Sequence, residues 1–141
     1  FNYGLILGWT AIKGQIDLAP IVFYIGAIFW TLGYDTIYGY QDIKDDEIIG
    51  LKSTSIKFKG NAKKFLMICY SSVLIFFLIG GYFMNFNYIY FFLCVIPFIH
   101  LFFYQIKNFQ IDNPAKCLEI FKSNNLFGLI ILINILIVKN L

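Results

Sequence analysis

Long apolar runs with almost no charge inside them constrain this chain more than any other feature. Residues 19–34, 65–84 and 88–104 each form such a run, and a fourth covers 126–138. In lipid, every backbone N–H and C=O must be paired within the protein, so segments of this kind cross a bilayer as helices. The chain is therefore predicted to fold as an all-α, polytopic transmembrane helix bundle.

The composition agrees with this assignment and excludes an ordinary soluble domain. Of the 141 residues, 60% are hydrophobic and 13% are charged, whereas a typical soluble domain has about twice that charged fraction. The chain begins with Phe1, and no signal-peptide pattern precedes the apolar residues. We therefore expect a piece of a longer polypeptide, in which residues 1–12 are the last part of a helix that starts upstream.

Signals at the edges of the apolar runs predict the helix boundaries. No stop signal separates residues 19–34 from the acidic stretch that follows, which predicts one helix that projects beyond the ~30 Å hydrocarbon core. Asn113 and Pro114 are typical of a helix start, a capping residue followed by proline in the first turn. The spans are expected to form a single membrane domain over residues 1–141, with approximate bounds of 1–12 (partial), 19–46, 65–84, 88–104 and 114–138.

The lysines indicate the orientation of the spans. The chain has eleven lysines and no arginine; if the spans alternate in direction, nine lysines lie on one side and only Lys13 and Lys139 on the other. By the positive-inside rule, segments 47–64 and 105–122 face the cytoplasm or the equivalent compartment. The topology accounts for the net charge of +3, so no nucleic-acid partner is expected.

Residues 34–55 hold five of the eight acidic residues of the chain. On a helix that turns about 100° per residue, Asp35, Asp42 and Asp46 return to within about 20° of one line. A carboxylate at the membrane boundary is costly unless it has a partner. Mg²⁺ takes hard oxygen ligands together with the phosphates of a substrate. These three carboxylates are therefore predicted to bind Mg²⁺, with Tyr38 beside them.

The other polar residues in the apolar part of the chain carry weaker signals. Asp45 and Glu47 are expected to be solvated, and a merely solvated helix end is the alternative explanation of the whole acidic stripe. His100, the single histidine, is expected to form hydrogen bonds between helices. The three cysteines have no metal-site spacing and are expected to fill apolar space.

Two stretches of the chain resemble a known family. Residues 30–38 and 42–46, followed by Gly50-Leu51-Lys52-Ser53-Thr54-Ser55, closely resemble the second aspartate-rich motif of the UbiA superfamily of intramembrane prenyltransferases, in its 4-hydroxybenzoate polyprenyltransferase branch. Residues 121–129 resemble the start of the last helix of that branch. The resemblance implies that this chain is the C-terminal part of a nine-helix prenyltransferase fold. The first aspartate-rich motif of the family is absent from it, so residues 1–141 alone are expected to be inactive.

The resemblance implies Mg²⁺-dependent transfer of a polyprenyl group from polyprenyl diphosphate to the aromatic ring of 4-hydroxybenzoate, in ubiquinone biosynthesis. It implies that Asp35, Asp42 and Asp46 hold Mg²⁺ against the diphosphate. Lys52 would bind the diphosphate or the aromatic carboxylate, and the Tyr38 ring would stabilise the allylic cation. The lipid bilayer is the expected surrounding, as an integral multi-pass protein of the bacterial inner (cytoplasmic) membrane or the mitochondrial inner membrane.

Two alternatives are open at this point. A related prenyltransferase would use haem, a naphthoate or a glycerol phosphate as the acceptor. A transporter or cation-channel fragment would use intramembrane acids to line an ion path, but such acids usually lie near the bilayer midplane at a broken helix. Here the acids are concentrated near one end of a span, which favours a transferase.

Overall fold

The structure is a computed structural model and describes residues 2–140. The described residues form helices and connecting segments without strands. In chain order they are α1 (Tyr3–Lys13), α2 (Leu18–Tyr38), α3 (Ile43–Ile49), α4 (Thr54–Lys57), a 3₁₀ turn (Lys59–Asn61), α5 (Ala62–Phe83), α6 (Tyr88–Leu93), α7 (Val95–Ile99), a π-helical segment (His100–Ile106), α8 (Pro114–Lys122) and α9 (Asn124–Lys139).

Four stretches within the described part of the chain are long and apolar enough to cross a membrane: Leu18–Tyr38, Lys59–Phe83, Tyr88–Ile106 and Pro114–Lys139. The prediction of an all-α, polytopic membrane bundle is confirmed. Two of these stretches are interrupted helices, and the interruptions are explained below.

The antiparallel packing of α2 on α5 is the main contact of the bundle. A Cβ on Gly26 would lie 2.7 Å from the ring of Phe77, and a Cβ on Gly33 would overlap the ring of Tyr70. Because lipid gives no hydrophobic driving force for helix association, membrane helices rely on such small residues for close packing. The two glycines, seven residues apart on α2, therefore accept two rings that are seven residues apart on α5.

The same seam continues towards both ends of the two helices. At one end the pattern is reversed, because Phe23 of α2 lies against Gly80 of α5. At the other end, Ile37 and Leu66 are completely buried in the same core cluster. The contact therefore runs along most of both helices and fixes their register.

The third span is interrupted near Pro97, and the backbone group that proline frees has a partner. Pro97 lacks the N–H that would bond the carbonyl of Leu93 in a continuous helix. In the structure α6 ends at Leu93, and the side-chain amide of Asn134 on α9 donates to the Leu93 carbonyl at 3.2 Å. A polar group in the last span thus satisfies a carbonyl that the lipid could not.

The last span begins as predicted but is divided. The Oδ1 atom of Asn113 accepts a hydrogen bond from the Lys116 N–H at 3.0 Å, and Pro114 occupies the first helical turn. The helix is interrupted at Ser123, which ends α8 and precedes α9. The single helix expected over 114–138 is therefore two helices that follow each other directly.

The predicted helix over 19–46 is wrong beyond Tyr38. α2 ends there, and α3 begins at Ile43 as a separate short helix. The chain turns because Tyr40 is buried, with its ring centroid 5.4 Å from that of Phe109. A continuous helix could not direct Tyr40 into this contact while keeping α2 on α5. Asp42 and Asp46 consequently do not lie on the helix that carries Asp35.

The two ends of the bundle agree with the division of the lysines. Lys13 and Lys139 line one cavity together with Phe83, Met84 and Phe86, at the turn between α5 and α6. At the opposite end, residues 40–45 and Lys59 line another cavity together with Ile111, Asp112 and Pro114. The structure therefore gathers segments 39–61 and 107–113 at one end.

We predict that Gly33→Ala destabilises the bundle, because its methyl group would overlap the Tyr70 ring. The expected cost is about 1–3 kcal/mol, typical of overpacking. Thermal unfolding of the detergent-solubilised full-length protein measures it. Gly8→Ala is the matched control, since nothing lies within 4 Å of a Cβ at that helical position. Equal unfolding temperatures for the two variants would contradict the close packing.

We also predict that cysteines replacing Lys57 and Gln15 are labelled from opposite sides of the membrane. Both positions are exposed and lie in segments assigned to opposite ends of the bundle. In a variant without the native cysteines, a membrane-impermeant thiol reagent should reach each position from one side only. Labelling of both from the same side would refute the topology.

Candidate functional site

The connection between α2 and α5, residues 39–58, carries most of the acidic cluster, and we call it the acidic connection. Its first helix, α3, ends at Gly50, whose φ of 77° suits glycine. The Leu51 N–H donates to the carbonyl of Asp46 at 3.0 Å and closes this helix end. Glu47 of α3 is paired with Lys59 at 2.7 Å. These contacts define the end of α3 and link this helix to Lys59.

Three consecutive small polar residues fix the second half of the acidic connection to α2. Ser53 caps α4 by accepting a hydrogen bond from the Ile56 N–H at 3.3 Å. Thr54 shares a hydrogen bond of 2.7 Å with Thr36 of α2. Thr36 already donates to the carbonyl of Leu32 at 2.6 Å, so the Thr54 hydroxyl is the donor. The polar segment after Lys52 therefore anchors the connection to α2.

The third of these residues makes the closest contact. Ser55 is buried, and its side chain lies so near Gly39 that any Cβ on that glycine would overlap it. Gly39 caps the C-terminal end of α2. Because it has no side chain, Ser55 of the returning chain can pack against it. This anchoring role of residues 53–55 was not predicted from the sequence, although the Ser-Thr-Ser run in a charged segment was a possible signal.

Asp35 lines a cavity that extends along α2 from Tyr24 to Asp35 and is also lined by Asn2 and Thr54. The cavity has a volume of about 340 Å³, and its lining includes Tyr24, Thr31 and Thr54. The Asp35 side chain is exposed, and its carboxylate forms no ion pair with the described residues. Its carboxylate is therefore free to meet a ligand that enters beside the anchored segment.

Asp42 lines a second cavity, of about 240 Å³, together with Asp45, Lys59 and Asp112. Tyr40 also contributes to the lining, and its buried hydroxyl has no hydrogen-bond partner in the part of the chain described. Burial raises the pKa of Tyr40 to about 12. The phenol therefore stays protonated at physiological pH and remains a hydrogen-bond donor without an acceptor.

The predicted magnesium ligands are not brought together by these residues alone. Asp35 and Asp42 line different cavities, and Asp46, which is partly buried on α3, lines neither of them. Residues 2–140 contain no group of three histidine, cysteine or acidic side chains placed to hold a metal ion. The described residues therefore do not fit a Mg²⁺ centre of their own, which the loss of the continuous helix explains.

Tyr38 belongs to an aromatic wall at the same end of α2. Trp30, Tyr34 and Tyr38 follow each other at intervals of four residues and so share one helix face. The Tyr38 and Phe121 rings lie 4.7 Å apart, and Trp30 and Phe127 lie 4.9 Å apart. Tyr38 is still 45% exposed. Its ring is therefore oriented by a neighbour and yet accessible, about 60° around the helix from Asp35.

A buried polar network stands behind this wall. Gln105, which is completely buried, accepts from the Tyr70 hydroxyl at 2.5 Å and donates to Asn124 at 3.1 Å. Asn124 also accepts from the indole N–H of Trp30 at 2.8 Å. His100 lies 3.1 Å from the Gln105 amide in the same π-helical segment and 3.4 Å from the Ser123 hydroxyl between α8 and α9. The second contact confirms its expected role in hydrogen bonding between helices. The network joins four parts of the bundle and was not predicted from the sequence.

Lys52 lies one residue before the cap of α4 and is exposed. It forms no ion pair within residues 2–140 and lines neither acidic cavity. Its position beside the anchored Ser53-Thr54-Ser55 segment leaves the ammonium group available to an anion from outside.

Comparison with known proteins identifies the family. The model of the UbiA prenyltransferase family matches residues 1–131, and the chain belongs to this family. A relative from Bos taurus is 39% identical over 138 residues, which cover 97% of this chain and 37% of the relative. Relatives from Dictyostelium discoideum and Drosophila melanogaster are each 36% identical and are covered to 30% and 35% of their lengths. All three are named "4-hydroxybenzoate polyprenyltransferase, mitochondrial".

The chain thus spans roughly a third of the length of these curated relatives. No solved structure gives a significant match to it. The family resemblance seen in residues 30–55 and 121–129 is confirmed by these comparisons.

We predict that Gln105→Leu destabilises the bundle. The substitution replaces the amide with an apolar side chain of similar volume. It leaves the Tyr70 hydroxyl and the Asn124 amide oxygen each with one fewer hydrogen-bond partner, at a cost of about 1–2 kcal/mol. Thermal unfolding in detergent measures it. Gln110→Leu, at an exposed position, is the control, and an equal effect in both variants would show that the network does not support the fold.

Proposed function

We propose that the full-length protein transfers a polyprenyl group from polyprenyl diphosphate to 4-hydroxybenzoate, as a step in ubiquinone biosynthesis. The observation that carries this proposal is the pairing of two features at one end of α2. Asp35 lines an open cavity beside the anchored polar segment, and the accessible Tyr38 ring lies on the adjacent helix face. The names of the relatives support the choice of donor and acceptor.

The reaction breaks the bond between the allylic carbon and the diphosphate oxygen. A new carbon–carbon bond forms at the ring position ortho to the hydroxyl of the acceptor, the ring loses a proton, and diphosphate leaves. In this proposal the Tyr38 ring stabilises the developing allylic cation with its electron-rich face. Lys52 binds the diphosphate or the acceptor carboxylate as a point charge. The prenyl chain needs no aqueous pocket, because it extends between helices into the bilayer.

We still propose that Asp35, Asp42 and Asp46 hold Mg²⁺ at the diphosphate end of the substrate. Mg²⁺ is the cofactor that we propose. The carboxylates of the described residues lie apart and do not form a metal-binding group by themselves. Family members are expected to carry a further aspartate-rich motif outside the segment that corresponds to this chain. We propose that the metal site is completed there.

The protein is an integral membrane protein by its four membrane-crossing stretches. We propose the mitochondrial inner membrane as its location, following the word "mitochondrial" in the names of the relatives. These relatives give no support to the bacterial inner membrane. Family membership also favours a transferase over the transporter that the intramembrane acid alone left open.

The activity is tested with membranes that contain the full-length protein, radiolabelled polyprenyl diphosphate and each candidate acceptor in turn. Prenylated 4-hydroxybenzoate is the expected product. Product formed only with haem, a naphthoate or a glycerol phosphate would replace the acceptor but keep the reaction class. No prenyl transfer to any acceptor would refute the proposal.

We predict that Asp35→Asn and Asp42→Asn each lower the activity of the full-length enzyme by about 100-fold or more, because each removes a negative charge proposed to hold Mg²⁺ against the diphosphate. Both variants keep the shape of the side chain and should insert normally. Glu119→Gln is the control, because that exposed carboxylate at the same end contacts only Lys116 and the Tyr104 hydroxyl among the described residues. If Mg²⁺ is the cofactor, chelation abolishes the wild-type activity and the two variants need more Mg²⁺. Wild-type rates in either variant would exclude these roles.

A further inference from the structure

Four lysines precede the apolar part of α5 within eight residues: Lys57, Lys59, Lys63 and Lys64. Their positions place them where the second membrane-crossing stretch leaves the bilayer, at the end of the bundle that gathers most of the lysines. The proposed prenyl transfer uses none of them. A cluster of this kind next to a membrane span is the charge pattern that attracts anionic lipid headgroups.

Three of these lysines, Lys59, Lys63 and Lys64, border a cavity of about 430 Å³ that apolar side chains also line. The lining contains no carboxylate side chain and consists of Lys59, Gly60, Asn61, Ala62, Lys63, Lys64, Met67, Phe109 and Ile111. The lysines and the first turn of α5 supply its basic part. Phe109 and Ile111 add apolar surface at the same end of the bundle, and Met67 lies one helical turn further along α5. The cavity therefore complements an anionic phospholipid, because its lysines match the charge of the headgroup and its apolar side chains match the acyl chains.

The lysines of this cluster differ in whether they already pair with a carboxylate. Lys59 is held by Glu47 at 2.7 Å and 2.9 Å. Lys63 and Lys64 form no ion pair in the part of the chain described. Asp112 lines the adjoining cavity of about 600 Å³ with Lys63 and forms no ion pair with it. Lys63 and Lys64 are therefore the two charges that an anion would meet first.

An exposed apolar stripe runs along α5 directly below these lysines. Ile68 follows Lys64 by one helical turn, and Ile75 and Ile79 continue on the same face. Their exposed fractions are 55%, 55% and 39%. Met67, which is 43% exposed, likewise follows Lys63 by one helical turn. An acyl chain that descends from a headgroup at the lysines would lie along this surface.

We propose that Lys63 and Lys64, with the cavity beneath them, form a binding site for an anionic phospholipid of the surrounding bilayer. The lipid phosphate contacts the two ammonium groups, the glycerol region occupies the cavity beside Phe109, and one acyl chain follows Met67 or Ile68. The site contains neither Asp35 nor Tyr38, and it shares only Lys59 and Ile111 with the cavity that Asp42 lines. Its test measures lipid binding and therefore does not depend on the proposed prenyl transfer.

Lipid binding is measured on the full-length protein in detergent by native mass spectrometry, with phosphatidylglycerol and phosphatidylcholine titrated separately. We expect retention of phosphatidylglycerol in preference to phosphatidylcholine. Each lysine near an anionic membrane surface contributes about fivefold to affinity, so Lys63→Gln/Lys64→Gln should weaken phosphatidylglycerol binding by about 30-fold. Added salt should weaken the wild-type binding, because these charges are exposed to solvent.

Two matched variants make the result specific. Lys107→Gln/Lys122→Gln removes the same charge at the same end of the bundle and should leave the binding nearly unchanged. Lys63→Arg/Lys64→Arg keeps the charge and should retain most of it. Equal loss in both glutamine variants, or equal retention of the two lipids by the wild-type protein, would overturn the proposal. Competition by inorganic phosphate at the concentration of the lipid would also overturn it, because the site would then bind a free anion.

Discussion

The close antiparallel contact between α2 and α5 is the constraint on which the rest of this structure depends. Gly26 and Gly33 remove side chains where Phe77 and Tyr70 must enter, so the two helices interlock at a single register. Because α5 is fixed in this way, the chain that leaves α2 has to return along a defined path. The acidic connection is the consequence, and its position at the membrane boundary follows from the helix register.

The return path separates the candidate substrate-binding residues. Tyr40 is buried against Phe109, which ends α2 after Tyr38 and places Asp42 beside a different cavity from Asp35. The polar residues after Lys52 then fasten the chain back onto α2. The geometry leaves Asp35 and the Tyr38 ring accessible on adjacent faces of one helix end.

Most of the membrane architecture could be predicted, because its causes are local in the sequence. Uncharged apolar runs must become helices in lipid, and the capping signal at Asn113 and Pro114 correctly predicted the start of the last span. The aspartate-rich pattern indicated the family, which the comparisons confirm. The acidic helix failed as a prediction because helical periodicity was extended past Gly39, where burial of Tyr40 interrupts it.

The sequence by itself therefore determined the number of membrane spans, the distribution of charge between the two ends and the family. Each depends on residues that are close together in the chain or on the solvent that surrounds them. Only the tertiary structure decided which polar groups meet: Asn134 with the carbonyl that Pro97 frees, Gln105 with Tyr70 and Asn124, and Asp35 apart from Asp42. Such pairings depend on helix register and on close contacts between distant segments, and periodicity along one helix contains no information about either.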